Sequence, residues 1–351
     1  MTFTRHSKFI FVIAALLFST LACRAATSLI FPDTPAPSPV PVETLPPTIA
    51  PTLEATETSS DVSCPVITDK IITDSTSGEG DASGNEANSN ADETRLVLYT
   101  VNGDDIQDPQ YDAVAKKFVA EQKDLATQAE IWKYFTRLIP HDQRALLNSY
   151  SIFTDGKANY LASVNQSDSD PLKWELNVDI ADASQKTSLT FTMIHEFGHL
   201  LTLNPTQMNV SLPVYNHPDD TKIYDAEVAA CPRYFTGEGC SNSDSYINIF
   251  FERFWPAIYA EWQKVDEIKN DDTRQNKLDD FYKTYQDQFV TDYAPTNPAE
   301  DIAESWAFFI LAPKPEGASI ANKKILFFYE YPELVQLRSQ ILNSVCVEFQ
   351  K

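Results

Sequence analysis

The chain has 351 residues, with 50 Asp and Glu against 27 Lys and Arg, a formal charge of −23 at pH 7. A field of that sign excludes a nucleic-acid partner, which needs a basic face, and opposes tight adhesion to an anionic bilayer. It favours basic or neutral substrates, and the 43% hydrophobic content suffices for one large core.

Residues 1–23 read as a leader. Arg5 and Lys8 precede Phe9 to Ala22, an almost wholly apolar run. It is shorter than the ~20 residues of a comfortable membrane helix, so it reads as a secretory signal peptide. It ends Ser19-Thr20-Leu21-Ala22-Cys23, where small Ala22 before Cys23 fits a bacterial lipoprotein signal whose cysteine is lipidated. Ordinary secretion with cleavage between Ala22 and Ala26 is the alternative. Both routes expect a protein outside the cytoplasm, the first anchored at the bacterial cell surface through Cys23.

Residues 24–93 read as a stalk. Between Phe31 and Ser60 stand eight prolines, a composition that stays extended and semi-rigid. From Asp61 to Glu93, Ser, Gly, Asn, Asp and Glu take over, the composition of a disordered chain. The expectation is a single domain over 94–351, a monomer carried at the end of this stalk.

With Cys23 set aside, four cysteines remain: Cys64, Cys231, Cys240 and Cys346. An even number in an exported chain points to disulfides, and none of the spacings is a zinc–cysteine site. Cys231–Cys240 closes a short glycine-containing loop and is the favoured pair. Cys64–Cys346 then staples the end of the stalk to the last helix. Free buried thiols are the alternative.

Within the domain, Arg95 to Val101 is the first strand candidate. Tyr111 to Leu138 has helical spacing through Val114, Phe118, Leu125, Trp132 and Phe135, and Pro140 stops it. Asp142 to Leu147 reads as a shorter helix. Ser149 to Phe153, Asn159 to Asn165 and Lys173 to Ile180 read as strands. In the last, Trp174, Leu176, Val178 and Ile180 share one face, and Glu175, Asn177 and Asp179 the other. Trp174 to Ile180 is the strand expected to border the cleft, at an edge where an extended substrate adds by backbone hydrogen bonds.

Ser188 to Leu203 is an apolar-rich run with Leu189, Met193, Phe197 and Leu200 at helical spacing and no proline before Pro205. Inside it lies His195-Glu196-Phe197-Gly198-His199, the pattern H-E-x-x-H. Two histidines four apart share one helix face and can bind one Zn²⁺, and Glu196 beside them can take a proton from a water that the metal acidifies. Gly198 costs roughly 1 kcal/mol against Ala in a helix, so close packing against a neighbouring element is expected to require it. A zinc enzyme still needs a third protein ligand.

Beyond the zinc helix, His217, Asp219 and Asp220 cluster in a turn-rich loop that reads as solvated rather than as a second metal site. Tyr246 to Val265 is aromatic-rich and helical with a break at Pro256, and its aromatics read as core. Lys277 to Phe289, Pro298 to Leu311, Ile320 to Tyr331 and Pro332 to Glu348 read as helices. In the segment Tyr293 to Glu304, Pro298 suits a first helical turn. Glu300 and Glu304 then lie four apart on one face, with Asp301 turned about a hundred degrees away. Glu300 presented to the two histidines completes a His₂Glu site. Apolar Ile302, Ala303, Trp306, Phe309 and Ile310 around these carboxylates argue against a merely solvated face. Glu304 is the reserve ligand and Glu227 a more distant one.

H-E-F-G-H followed by Y-x-x-T-N-x-A-E-x-x-A-E resembles the metallopeptidases related to the catalytic domain of anthrax lethal factor, which include the clostridial Pro-Pro endopeptidases. The resemblance implies Glu300 as third zinc ligand, Tyr293 as a catalytic residue that donates to the developing oxyanion, and Glu304 as support for a ligand histidine. It implies an α+β, gluzincin-like (zincin) fold, with a small mixed sheet, the zinc helix, then a mainly helical C-terminal half. The stretch from His199 to Tyr293 is much longer here than in lethal factor, and residues 205–270 are expected to flank the cleft. The function expected is a zinc-dependent endopeptidase with one Zn²⁺ on His195, His199 and Glu300, acting on a peptide or protein. The alternatives are a non-catalytic surface protein that keeps the site for structure or binding, and a peptidase that processes its own stalk.

Overall fold

The computed structural model describes residues 63–76, 94–156 and 160–350. The leader, Cys23 and the proline-rich linker lie outside the described residues.

The first described element corrects the stalk reading. Helix α1 (Pro65–Thr76) lies inside the stretch whose composition reads as disordered. Ile71 is fully buried and belongs to the main core, with Ile67 and Ile72 packed beside it. Averaging over 61–93 hides this single apolar face. The helix is also tied at both ends, by the disulfide Cys64–Cys346 and by a 2.6 Å hydrogen bond from Thr187 Oγ1 to Asp74 Oδ2.

One five-stranded mixed sheet follows. Strand β1 (Thr94–Asn102) turns at Gly103, which sits at φ 67°, into β2 (Asp105–Tyr111). The short α2 (Val119–Gln122) and α3 (Leu125–Leu138) come next, α3 capped by Asp124 accepting from Thr127 N. Then come β3 (Leu147–Thr154), β4 (Ala162–Ser167) and β5 (Asp170–Asp179). The order is β2-β1-β3-β5-β4, with β3 and β5 parallel and the other neighbours antiparallel.

Three expectations change here. The long helix expected from Tyr111 is broken: only the short α2 precedes α3, which starts at Leu125, and 105–111 is a polar, exposed edge strand with Pro109 in it. Asp142 to Leu147 is a 3₁₀ turn (His141–Arg144) leading into β3 rather than a helix. The strand through Trp174 to Ile180 is not at the edge: β5 lies between β3 and β4, and β4 is the edge strand. The polar side of β5 gives the physical reason, since Glu175, Asn177 and Asp179 are all buried, as both faces of an interior strand are.

Helix α4 (Lys186–Thr202) crosses the core. A small hairpin of β6 (Met208–Val210) and β7 (Gly239–Ser241) follows it, with α5 (Leu212–Asn216) and α6 (Thr221–Ala230) between the two strands. The disulfide Cys231–Cys240 closes onto β7. Next, α7 (Tyr246–Phe254) and α8 (Tyr259–Asp266) are separated by the break expected at Pro256. Phe250, Phe254, Trp255 and Trp262 are core. Helix α9 (Asp271–Thr284), capped by Asn270, starts six residues ahead of the expected Lys277. Three helices close the chain: α10 (Pro298–Leu311), α11 (Ile320–Phe328) and α12 (Pro332–Glu348). The molecule is thus α+β, a small mixed sheet followed by a mainly helical half.

Candidate metal centre

Two helices build the site. Every residue of α4 from Ser188 to Leu200 is buried, so its histidines are set in the core rather than on a wet face. Helix α10 packs directly against it. A Cβ at Gly198 would meet Trp306 Cδ1 at 3.0 Å and Ala303 Cα at 3.2 Å, so the glycine lets α10 approach. This is the close packing that its presence in a helix implied. Asn297 caps α10, accepting from Ala299 N at 2.8 Å and Glu300 N at 3.0 Å. With Pro298 at the first position, the cap fixes Glu300 in the first turn, where the helix dipole favours a carboxylate.

The donor atoms converge. His195 Nε2 lies 3.1 Å from His199 Nε2 and 3.0 Å from Glu300 Oε2, and His199 Nε2 lies 3.2 Å from the same oxygen. On the other side of the ring, His195 Nδ1 is 2.7 Å from Glu304 Oε1. That contact assigns the ring proton to Nδ1 and leaves Nε2 as a lone pair. A lone pair facing a carboxylate oxygen at 3.0 Å calls for a proton or a metal ion between them. The residues present therefore fit a metal ion: His195, His199 and Glu300 bring one ligand atom each within 4.8 Å of one another. Among the described residues they are the one such group. Glu227 is engaged elsewhere, accepting from Ser211 Oγ at 2.8 Å, and the loop of His217, Asp219 and Asp220 forms no such group.

Electrostatics point the same way. Burial pulls the His195 imidazole down, but hydrogen bonds to Glu300 and Glu304 carry it well above its usual range. Two carboxylates focused on one buried ring make a field that favours positive charge at its edge. Burial pushes Glu300 up, yet the two histidines hold it well below the carboxylate range. Glu196 behaves differently. Burial raises it to about 7 against the opposing pull of His195 and His199, while the Val164 N–H on β4 donates to its carboxylate. A carboxyl group poised near neutrality can both take and return a proton. The Tyr293 ring lies beside His195, with centroids 6.1 Å apart.

Supporting residues emerge that no motif marked. Thr291 Oγ1 donates to Glu304 Oε2 at 2.6 Å and accepts from Ala294 N at 3.2 Å. It thereby ties the carboxylate behind His195 to the turn that carries Tyr293. Behind Glu300, fully buried Asp301 accepts from Trp255 Nε1 at 2.8 Å and pairs with fully buried Lys324 at 2.6 Å. The Lys324 ammonium sits 4.1 Å from the centre of the Phe289 ring. Only the placement of Asp301 on the face away from Glu300 was readable beforehand; its cation comes from a helix twenty residues on.

Comparison with protein-family models, with curated proteins and with solved structures finds no match. The centre's chemistry is therefore read from its own geometry.

Proposed function

We propose that this chain is a zinc-dependent endopeptidase of the gluzincin type, exported and anchored at the cell surface through Cys23. The observation that carries the reading is the convergence of His195, His199 and Glu300 on one point, with a buried Glu196 adjoining them. Two imidazoles and one carboxylate are a borderline-soft set that suits Zn²⁺ and leaves a position open. A bound ion supplies a Lewis acid that polarises a carbonyl and acidifies a water.

The chain's own groups do the rest. Glu196 accepts the proton of the attacking water and delivers it to the leaving amine. The Tyr293 hydroxyl donates to the developing oxyanion, a contribution on the order of 3 kcal/mol. Glu304 fixes the His195 tautomer, and Thr291 fixes Glu304. An extended substrate adds to β4, whose outer edge has no partner strand among the described residues and whose Val164 reaches Glu196. The partner is a peptide or protein, taken up by a monomer.

The test is cleavage of a diverse peptide library by the zinc-loaded protein, read by mass spectrometry, with Glu196→Gln beside it. Cleavage by the parent, lost in a variant that still binds zinc, is the result expected. A zinc-bound parent that cleaves nothing would overturn the peptidase reading and leave a zinc-holding surface protein.

A further inference from the structure

The chain between α4 and α7 forms an arm that runs from the metal centre to the edge of the sheet. It leaves α4 at Thr202, three residues past His199, and is rooted in the β6–β7 hairpin, where Met208 is buried in the core. Ser211 N donates to Glu238 O at 2.8 Å, the Ser211 hydroxyl donates to Glu227, and the disulfide Cys231–Cys240 closes the other side of the root. Burial pushes the Glu238 carboxyl up against the Thr236 hydroxyl and the charge of His199, so this root stands within electrostatic reach of the metal donors.

Beyond this root the arm lies on the surface. Neither α5 nor α6 contains a buried residue, and Leu212 and Val228 are 54% and 40% exposed. Its tip nevertheless reaches the sheet: the Tyr215 hydroxyl donates to Ser167 O at 2.8 Å, at the last residue of β4. That contact sets where the open edge of β4 ends. The Val164 N–H faces Glu196, so by strand alternation Ala162 and Gln166 also turn their backbone groups outward. Ser167 is three residues past Val164, about 10 Å along the strand. A chain lying on this edge with its scissile bond at Glu196 therefore meets Tyr215 about three residues further on.

We propose that Tyr215 latches the α5–α6 arm across the end of the β4 edge and so selects substrates by length. With the latch closed, the site takes chains that end about three residues from the scissile bond on the Ser167 side. Longer chains enter when the arm swings away. The inference rests on the peptidase reading and narrows it to cutting near a chain end. The physics favours a gate over a fixed wall. Two helices without a buried residue offer little apolar area to hold the arm down, so the hydrogen bond at its tip weighs heavily in keeping it closed. The disulfide and the paired strands keep the root in place when the tip lets go. A substrate long on that side binds the open form alone, and its apparent affinity falls by the open fraction.

The experiment compares full-length, zinc-loaded parent with Tyr215→Phe, which removes the hydroxyl and keeps the ring. Both receive a peptide cut in the library screen, shortened to about two residues and lengthened to about ten on each side of the scissile bond in turn. The expected result is that lengthening past about three residues lowers kcat/KM on one side alone. On that side Tyr215→Phe raises the long-to-short ratio of kcat/KM roughly 2- to 10-fold, the strength of one hydrogen bond. A readout without substrate runs beside it. Brief trypsin treatment cuts after exposed Lys222 in α6, seen on a reducing gel, and Tyr215→Phe is cut faster by a similar factor. Cleavage that ignores length on both sides, or a variant matching the parent in either readout, would overturn the gate and leave the peptidase standing. A parent that cleaves no peptide removes the peptidase reading, and the gate with it.

Discussion

At the scale of single residues, the centre depends on atoms that a sequence pattern does not name. H-E-x-x-H and the segment from Tyr293 to Glu304 were legible because their chemistry is local: two ligands four apart on a helix, and a proline and asparagine that start another. Thr291 and Val164 were not legible, since each acts through a contact set by tertiary packing. Glu304→Gln keeps the shape but loses the charge that orients His195, and zinc affinity should fall about 10- to 100-fold. Thr291→Val should fall less in the same chelator competition, because Glu304 stays in place. Gly198→Ala places a methyl group 3.0 Å from Trp306 Cδ1 and 3.2 Å from the Ala303 backbone. The helix propensity gained is outweighed by overpacking, and a loss of about 1–3 kcal/mol is expected in urea unfolding. Unchanged stability would mean that the two helices separate freely.

At the scale of elements, periodicity located the long apolar helices well and the sheet less well. Pro298–Leu311 and Pro332–Glu348 were readable end to end, because proline starts and apolar faces coincide. Strand order was not readable, because pairing is non-local. Alternation in β5 suggested one wet face, and only burial of Glu175, Asn177 and Asp179 shows it to be interior. Strand β2 is polar and exposed, so no hydrophobic signal marked it. Helix α1 was hidden by its neighbours' composition, and its place depends on the covalent bond as well as on Ile71. Cys64→Ser with Cys346→Ser opens a loop with a sequence separation of 282. A chain-entropy estimate puts the cost at about 5–6 kcal/mol, measured by urea unfolding beside the parent. Because α1 packs on α4, the same double variant should also expose α4 amides to hydrogen exchange.

At the scale of the molecule, pH acts through the buried carboxyls of Asp179 and Asp182, at the C-terminal end of β5, and through the overall charge of −23. The folded values of about 7 for Asp179 and about 6 for Asp182 lie above the ordinary 3.8. The folded state therefore holds more protons than the unfolded chain between roughly pH 4 and 7, so stability is full below that window and is lost as pH rises through it. Thermal midpoints should fall from pH 5 to pH 8, and Asp182→Asn should flatten the fall. A parent that gains stability over that range would contradict the sign. The disulfide between Cys64 and Cys346 has one more consequence, for what counts as a single molecule. It joins the N-terminal side of the segment 77–93 to the last helix of the domain. A nick anywhere in that segment leaves two polypeptides that still travel together, and under the proposed anchor at Cys23 the larger one would stay at the surface. On a gel the nicked protein should run as one band until a reductant is added, and as two afterwards. Shedding of the domain would then be governed by thiols rather than by proteolysis alone.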